Sequence, residues 1–243
     1  MNINLFYRHL DTFLLGLLSW VILHVLSVVA FPTLFPGQFP LLSARTQAKF
    51  HPKLVSLLFS LIIVCYAWPI VFSPSFQEMR EKDWLLGYNA YASGVYSLAL
   101  SYFVYDVVVT LYNGDGKEFL AHALLCMLVY AQTFKPFMTF HGAGLLMFEA
   151  STPFLHFRWF LLQLGFSKSR LYLWSSLAFA ATFFVSRIIW GFFISIQGLI
   201  FLQDFKDQVG MPVFYFTHLA GLTLNLLNLY WFTIIIRKKR RGN

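Results

Sequence analysis

Asp106, His122 and Glu149 each fall in a run of apolar residues. An ionisable group inside a membrane span is costly and marks a functional position by default. The three come from successive runs, at about 93–113, 118–134 and 138–157. Counted from the polar ends of those runs at about 1.5 Å per residue, they share a depth roughly 6 to 14 Å below one membrane surface. Two carboxylates and an imidazole at one depth are the parts of an acid-base site. The imidazole moves protons at neutral pH, and a carboxylate orients it.

The run at 138–157 adds a pattern. His141, Glu149, Thr152 and His156 are spaced to share one helical face, with Leu145, Leu146, Met147 and Phe148 left to cover the lipid side. Pro153 cannot donate to the carbonyl of Glu149, which frees that oxygen for a partner or ligand. In the last run His218, Gly221, Asn225 and Asn228 fall on one face. A plainer use of the same residues is structural: Glu149 or Asp106 pairs with Arg187 in the sixth run and holds helices together. His141 and His218 lie near the opposite surface and read as packing residues, as does His24, alone on an apolar helix. Arg158 either snorkels at the interface or meets an anionic headgroup. Both uses stay open. The candidate catalytic residues are therefore His122, Asp106 and Glu149. The candidate lipid-binding residues are Arg158, His156, Thr152, Arg187, Asn225 and Asn228.

These groups stand out because the chain is so apolar. Of 243 residues, 58% are hydrophobic, 20% aromatic and 12% charged, where a soluble domain carries about 25% charged. That excludes a soluble enzyme. Seven runs, at about 10–31, 54–73, 93–113, 118–134, 138–157, 171–196 and 212–236, are each near the roughly 20 residues that span a bilayer. The expected fold is all-α: a multi-pass transmembrane helical bundle of about seven spans. It divides into an N-terminal anchor and proline-rich loop (1–44), a helical domain (45–236) and a basic tail (237–243). The first run is too long for a signal-peptide core and has no small-residue cleavage site, so it reads as a retained anchor.

The net charge of +8 sits beside the runs rather than on a separate water-facing module, so no nucleic-acid partner is expected. Twelve of the eighteen Lys and Arg flank the side that carries the tail. Five (Arg8, Arg80, Lys82, Lys135 and Lys206) flank the other, and Arg187 lies inside a run. This bias places the C-terminus and the loops at 32–53, 114–117 and 158–170 in the cytoplasm. Cys65 and Cys126 lie in apolar runs, which argues against a disulfide framework. There is no G-x-S-x-G, P-loop or H-E-x-x-H motif, and the seven histidines show no metal-ligand spacing, so no metal is expected.

Several segments carry a resemblance. Glu149-Ala-Ser-Thr-Pro-Phe-Leu-His-Phe-Arg-Trp159 is similar to the E-x-S-T-P-F-x-N-x-R-W segment of the TLC-domain family, named for its TRAM, Lag and CLN members. Here His156 stands where many relatives have Asn. Leu224-Asn-Leu-Leu-Asn-Leu-Tyr-Trp-Phe232 resembles the family's N-x-x-W-F ending, and Phe183-Phe-Val-Ser-Arg187 its aromatic helix with one buried arginine. Ser101-Tyr-Phe-Val-Tyr-Asp106 and Phe119-Leu-Ala-His122 occupy the places of its aspartate and histidine helices, and Lys53-Leu-Val-Ser56 looks like its basic R-V-V-S segment. His122 is followed by Ala123 rather than a second histidine, and Glu149-Ala-Ser-Thr-Pro replaces an aspartate-rich segment. The closer likeness is therefore to short TLC-domain-containing proteins rather than to ceramide synthases.

The resemblance implies a protein of lipid metabolism or lipid homeostasis in the endoplasmic reticulum or another endomembrane. It would bind a lipid or acyl chain in an intramembrane polar pocket, with membrane lipids as its partners and no resident cofactor. An alternative is a ceramide-synthase-like acyltransferase. It would use His122 as base or acyl acceptor, Asp106 or Glu149 to orient the ring, and cytoplasmic acyl-CoA as co-substrate. A third reading is a trafficking receptor or chaperone, since Arg240 and Arg241 stand where a dilysine retrieval signal would have lysines.

Overall fold

The computed structural model describes residues 8–82, 85–131 and 137–241, with side chains as far as Arg237. Lys135 and the side chains of Arg240 and Arg241 lie outside that set. Every regular element among the described residues is helical, as the composition predicts. The first helices are α1 (Leu10–Leu34), α2 (Ala44–Phe72) and the short α3 (Gln77–Glu81), followed by α4 (Ala90–Asn113) and α5 (Lys117–Tyr130). Next come α6 (Thr139–Leu146), a 3-10 stretch (Met147–Ser151) and α7 (Thr152–Gln163). The chain ends with α8 (Arg170–Phe183), a π-helical turn (Phe184–Ile189), α9 (Trp190–Gln203), the short α10 (Lys206–Val209) and α11 (Met211–Arg241).

Local sequence sets the boundaries. Ser43 caps α2 by accepting the amide of Thr46 at 3.2 Å, Asn89 caps α4 through Ala92 at 3.0 Å, and Ser169 caps α8 through Tyr172 at 3.1 Å. Each side-chain oxygen satisfies one orphan amide of a first turn. Helix α4 stops at Gly114, whose φ of 60° is the left-handed C-cap conformation that glycine adopts without strain.

Among the described residues, five stretches are long and apolar enough to cross a membrane: α1, α2, α4, the continuous α8–π–α9 rod from Arg170 to Gln203, and α11. The other two expected spans take different forms. Helix α5 has 14 residues, a rise of about 21 Å against the roughly 30 Å of a bilayer core. The fifth span is broken into α6, the 3-10 stretch and α7.

That break overturns two expectations. A 3-10 turn holds about 3.0 residues instead of 3.6, so the helical phase shifts between His141 and His156 and the polar stripe divides. Leu146, Met147 and Phe148 do not face lipid; they are buried, because α2, α4 and α9 surround this segment. The carbonyl of Glu149 is not free either. It accepts the amide of Thr152, closing the 3-10 stretch, and Pro153 falls in the first turn of α7, where its missing N–H costs nothing.

Apolar burial cannot drive helices together in lipid, so small residues and interhelical hydrogen bonds must. The α1–α4 seam shows both. Ser97, Ser101 and Tyr105, four residues apart on α4, meet α1 in turn. Ser97 donates to the carbonyl of His9 at 2.7 Å, Trp20 Nε1 donates to Ser101 at 3.0 Å, and His24 pairs with the Tyr105 hydroxyl at 2.7 Å. Gly16 lies against Ser101 so closely that a Cβ would strike its hydroxyl. Beneath this seam Phe59 stacks on Tyr102 at 3.6 Å between ring centroids. Gly16→Leu should therefore destabilise the detergent-solubilised protein by about 1–3 kcal/mol, the usual cost of overpacking. Gly37→Ala, at a position with open space around it, should leave the melting temperature unchanged.

Candidate functional site

The chain's buried charges meet where the π turn crosses the 3-10 stretch. The π turn adds a residue to the α8–α9 rod, a device common at functional sites, and here it carries Arg187 into the bundle. Arg187 Nε donates to the Phe148 carbonyl and to Ser151 Oγ, both at 3.1 Å. Nη1 donates to Asn228 Oδ1 at 3.4 Å. Nη2 donates to Thr152 Oγ1 at 3.2 Å and lies 3.5 Å from Glu149 Oε1. Thr152 in turn donates to Glu149 Oε2 at 2.7 Å. Glu149 and Arg187 are 8% and 6% exposed, so the pair is out of water and the ring of neutral acceptors carries much of its desolvation cost. The structural use foreseen for Glu149 is present in this geometry, and Arg187 is committed to it rather than open to an external anion.

Glu149 also looks the other way. With His122, Cys126 and Tyr130 it lines a cavity of about 360 Å³, counting the space at its mouth. The His122 ring lies within 3.7 Å (Nε2) and 3.9 Å (Nδ1) of Cys126 Sγ, one turn along α5. Trp231 from α11 packs edge-to-face with that ring, 5.4 Å between centroids. His122 and Glu149 thus line one cavity. Asp106 does not join them in the cavity wall. It is half-buried on α4, near enough to Lys53 and Glu149 to feel their charges, and among the described residues it makes no hydrogen bond or ion pair.

The remaining candidates disperse. His156 Nε2 pairs with Ser56 of α2 at 2.9 Å. Its Nδ1 is buried without a hydrogen-bond partner, as are Asn225 Oδ1 and Asn228 Nδ2. Arg158 turns to α8, donating to Ser176 at 2.9 Å and to the Tyr172 hydroxyl at 3.2 Å. His141 packs against Gly198 of α9, and His218 pairs with Gln203 at 2.8 Å. Among the described residues no three His, Cys, Asp or Glu side chains converge at metal-binding distance. Two members of the site escaped the sequence reading. In the sequence Ser151 stands out only as part of the Glu149–Trp159 motif, and Cys126 only as one of two cysteines in apolar runs. The spacing His122-x-x-x-Cys126, one helical turn, was the available signal.

A second, larger cavity of about 860 Å³, counting its mouth, lies between α4, α5, α6, α9 and α11. Its wall is mainly apolar, with scattered hydroxyls from Ser93, Thr139, Ser195 and Thr217. Val129, Tyr130, Leu145 and Leu224 belong to the walls of both cavities. The two spaces therefore adjoin, with His122 and Glu149 in the wall of the smaller one.

Comparison with known proteins agrees with this architecture. The TLC domain is matched over residues 49–237. An uncharacterized TLC domain-containing protein of Schizosaccharomyces pombe is 28% identical over 237 residues, covering 96% of this chain and 80% of its own. Topoisomerase I damage affected protein 4 of Saccharomyces cerevisiae is 35% identical over 158 residues, 61% of this chain and 56% of its own. Human TLC domain-containing protein 4 is 25% identical over 207 residues, 81% and 75% of the two chains. With the domain matched across most of its length, the chain belongs to the TLC-domain family, a membrane-protein family linked to lipid metabolism and homeostasis, and its relatives are that family's short members.

Proposed function

We propose that this protein holds a lipid or single acyl chain between its helices, with the polar end at His122 and Glu149 and the chain in the larger cavity. The observation that carries the reading is the shared wall of Val129, Tyr130, Leu145 and Leu224, which joins the space lined by His122 and Glu149 to the larger one. Mostly apolar cavities with a few placed polar groups are the usual form of a small-molecule site. Glu149, fixed by Arg187 and Thr152, offers a held acceptor. The charge bias favours a cytoplasmic His122 end, and the family resemblance favours the endoplasmic reticulum or another endomembrane. A C-terminal tag should then be antibody-accessible after selective permeabilisation of the plasma membrane.

Native mass spectrometry of the purified protein tests the binding reading. A lipid should co-purify with the wild type and be lost from Gly221→Phe. Gly221 lines the larger cavity, and its added Cβ would meet only Leu199 at ordinary contact distance, 3.7 Å. A phenyl group there fills the space without breaking the backbone. Retention of the lipid in a folded Gly221→Phe protein would sink the reading.

A second reading, acyl transfer from acyl-CoA, is favoured by one feature. His122 is the basic group in the small cavity's wall, and it lies six residues into α5 from the end assigned to the cytoplasm. Coenzyme A is too polar to enter the bilayer, so only a base near that surface can meet its thioester.

A further inference from the structure

We propose that Cys126 is an acyl acceptor: its thiol carries an acyl group as a thioester, with His122 as the base that activates it. The inference deepens the reading above, since it rests on an acyl chain reaching these cavities. A buried cysteine ordinarily behaves as a small hydrophobe among apolar neighbours. Cys126 instead shares a cavity wall with an imidazole and a carboxylate, and both nitrogens of His122 lie within 4 Å of its sulfur.

A thiol in apolar surroundings stays protonated and is a poor nucleophile. It needs an adjacent base, and histidine beside cysteine is the recurrent solution. Whichever tautomer His122 adopts, one nitrogen is free to accept the proton. Glu149 is already neutralised by Arg187 at 3.5 Å, so its charge opposes a developing thiolate less than a free carboxylate would. Cys126 is 7% exposed, which keeps water from a thioester once formed. One turn further along α5 stands Tyr130, on the wall shared with the larger cavity, so a chain attached at Cys126 has apolar space ahead of it.

The step balances without an oxidant. Cys126 Sγ attacks the carbonyl carbon of an acyl-CoA thioester while His122 accepts the thiol proton. The bond from that carbon to the coenzyme A sulfur breaks, and the leaving thiolate takes the proton back from His122. The products are acyl-S-Cys126 and free coenzyme A. Attack by an amine or hydroxyl acceptor would then release the acyl group and restore the thiol.

Cys65 is a built-in control, because it is exposed on α2 and among the described residues hydrogen-bonds to no histidine. The full chain, purified in detergent, is incubated with palmitoyl-CoA and followed by intact mass and peptide mapping. One palmitoyl group should appear on Cys126 and leave on treatment with neutral hydroxylamine. It should persist in Cys65→Ser, vanish in Cys126→Ala, and form about 100-fold more slowly in His122→Ala. Cys126→Ser tests the same position in a near-isosteric form and should also lose the hydroxylamine-labile adduct.

Acylation that falls equally on Cys65, or that ignores His122→Ala, is spontaneous chemistry and overturns the proposal. No adduct on Cys126, while a photoreactive fatty-acyl probe still crosslinks to the cavity wall, also overturns it and leaves lipid binding standing. If the photoreactive probe fails to crosslink as well, both readings fall.

Discussion

Arg187→Ala is expected to lower the stability of the detergent-solubilised protein by about 3–5 kcal/mol, the range seen when one member of a buried ion pair is removed. Its melting temperature should fall far enough to make the variant hard to purify. The size of the effect follows from what the guanidinium satisfies at once: the Phe148 carbonyl, Ser151, Thr152, Asn228 and the Glu149 carboxylate. Removing it leaves a buried carboxylate with Thr152 alone, and the Phe148 carbonyl keeps only the Ser151 hydroxyl. Glu149→Gln should be much milder. The amide can still accept from Thr152, and Arg187 keeps four neutral acceptors, so the charge left behind is solvated by the protein. A folded Glu149→Gln protein that no longer retains lipid would separate the carboxylate's binding role from its structural one. Equal destabilisation by the two variants would mean that the ion pair, not the acceptor ring, holds the turn.

The sequence made the lipid-facing architecture plain because spans are written in composition. Runs of 20 or more apolar residues became α1, α2, α4, the α8–α9 rod and α11. What it could not specify was phase. The extended polar stripe from His141 to His156 assumed 3.6 residues per turn throughout. A five-residue 3-10 stretch was enough to send His141 to α9, Glu149 to Arg187 and His156 to Ser56. His122 and Glu149 line one cavity, whereas the common depth expected of them rests on residue count alone. Asp106 is not in that wall, because rotation about the α4 axis, which residue count does not fix, decides where it points. The Arg187 pairing was foreseen as an alternative since a lone intramembrane cation demands an anion. Its other ligands were not, because a backbone carbonyl such as that of Phe148 has no sequence signature.

His122→Ala carries the largest expected effect on activity. If the protein transfers acyl groups, transfer from acyl-CoA to a lipid acceptor should fall by about 10²–10⁴, the range for loss of a positioned general base. The fold should survive. His122 is half-buried, makes no ion pair among the described residues, and touches Trp231 by its ring edge and Cys126 through a weak sulfur contact. Its removal therefore leaves no charge stranded. The comparison that gives the number meaning is His218→Ala. That histidine pairs with Gln203 near the other end of the bundle, so its loss should leave turnover within a factor of two. Trp231→Phe provides an intermediate step, since a smaller ring still contacts His122 but holds it less firmly. Turnover should drop while lipid retention does not, as expected when orientation rather than binding is weakened. A wild-type rate in His122→Ala would remove the histidine from the chemistry altogether. The two adjoining cavities would then be a lipid-binding site whose imidazole only lines the wall.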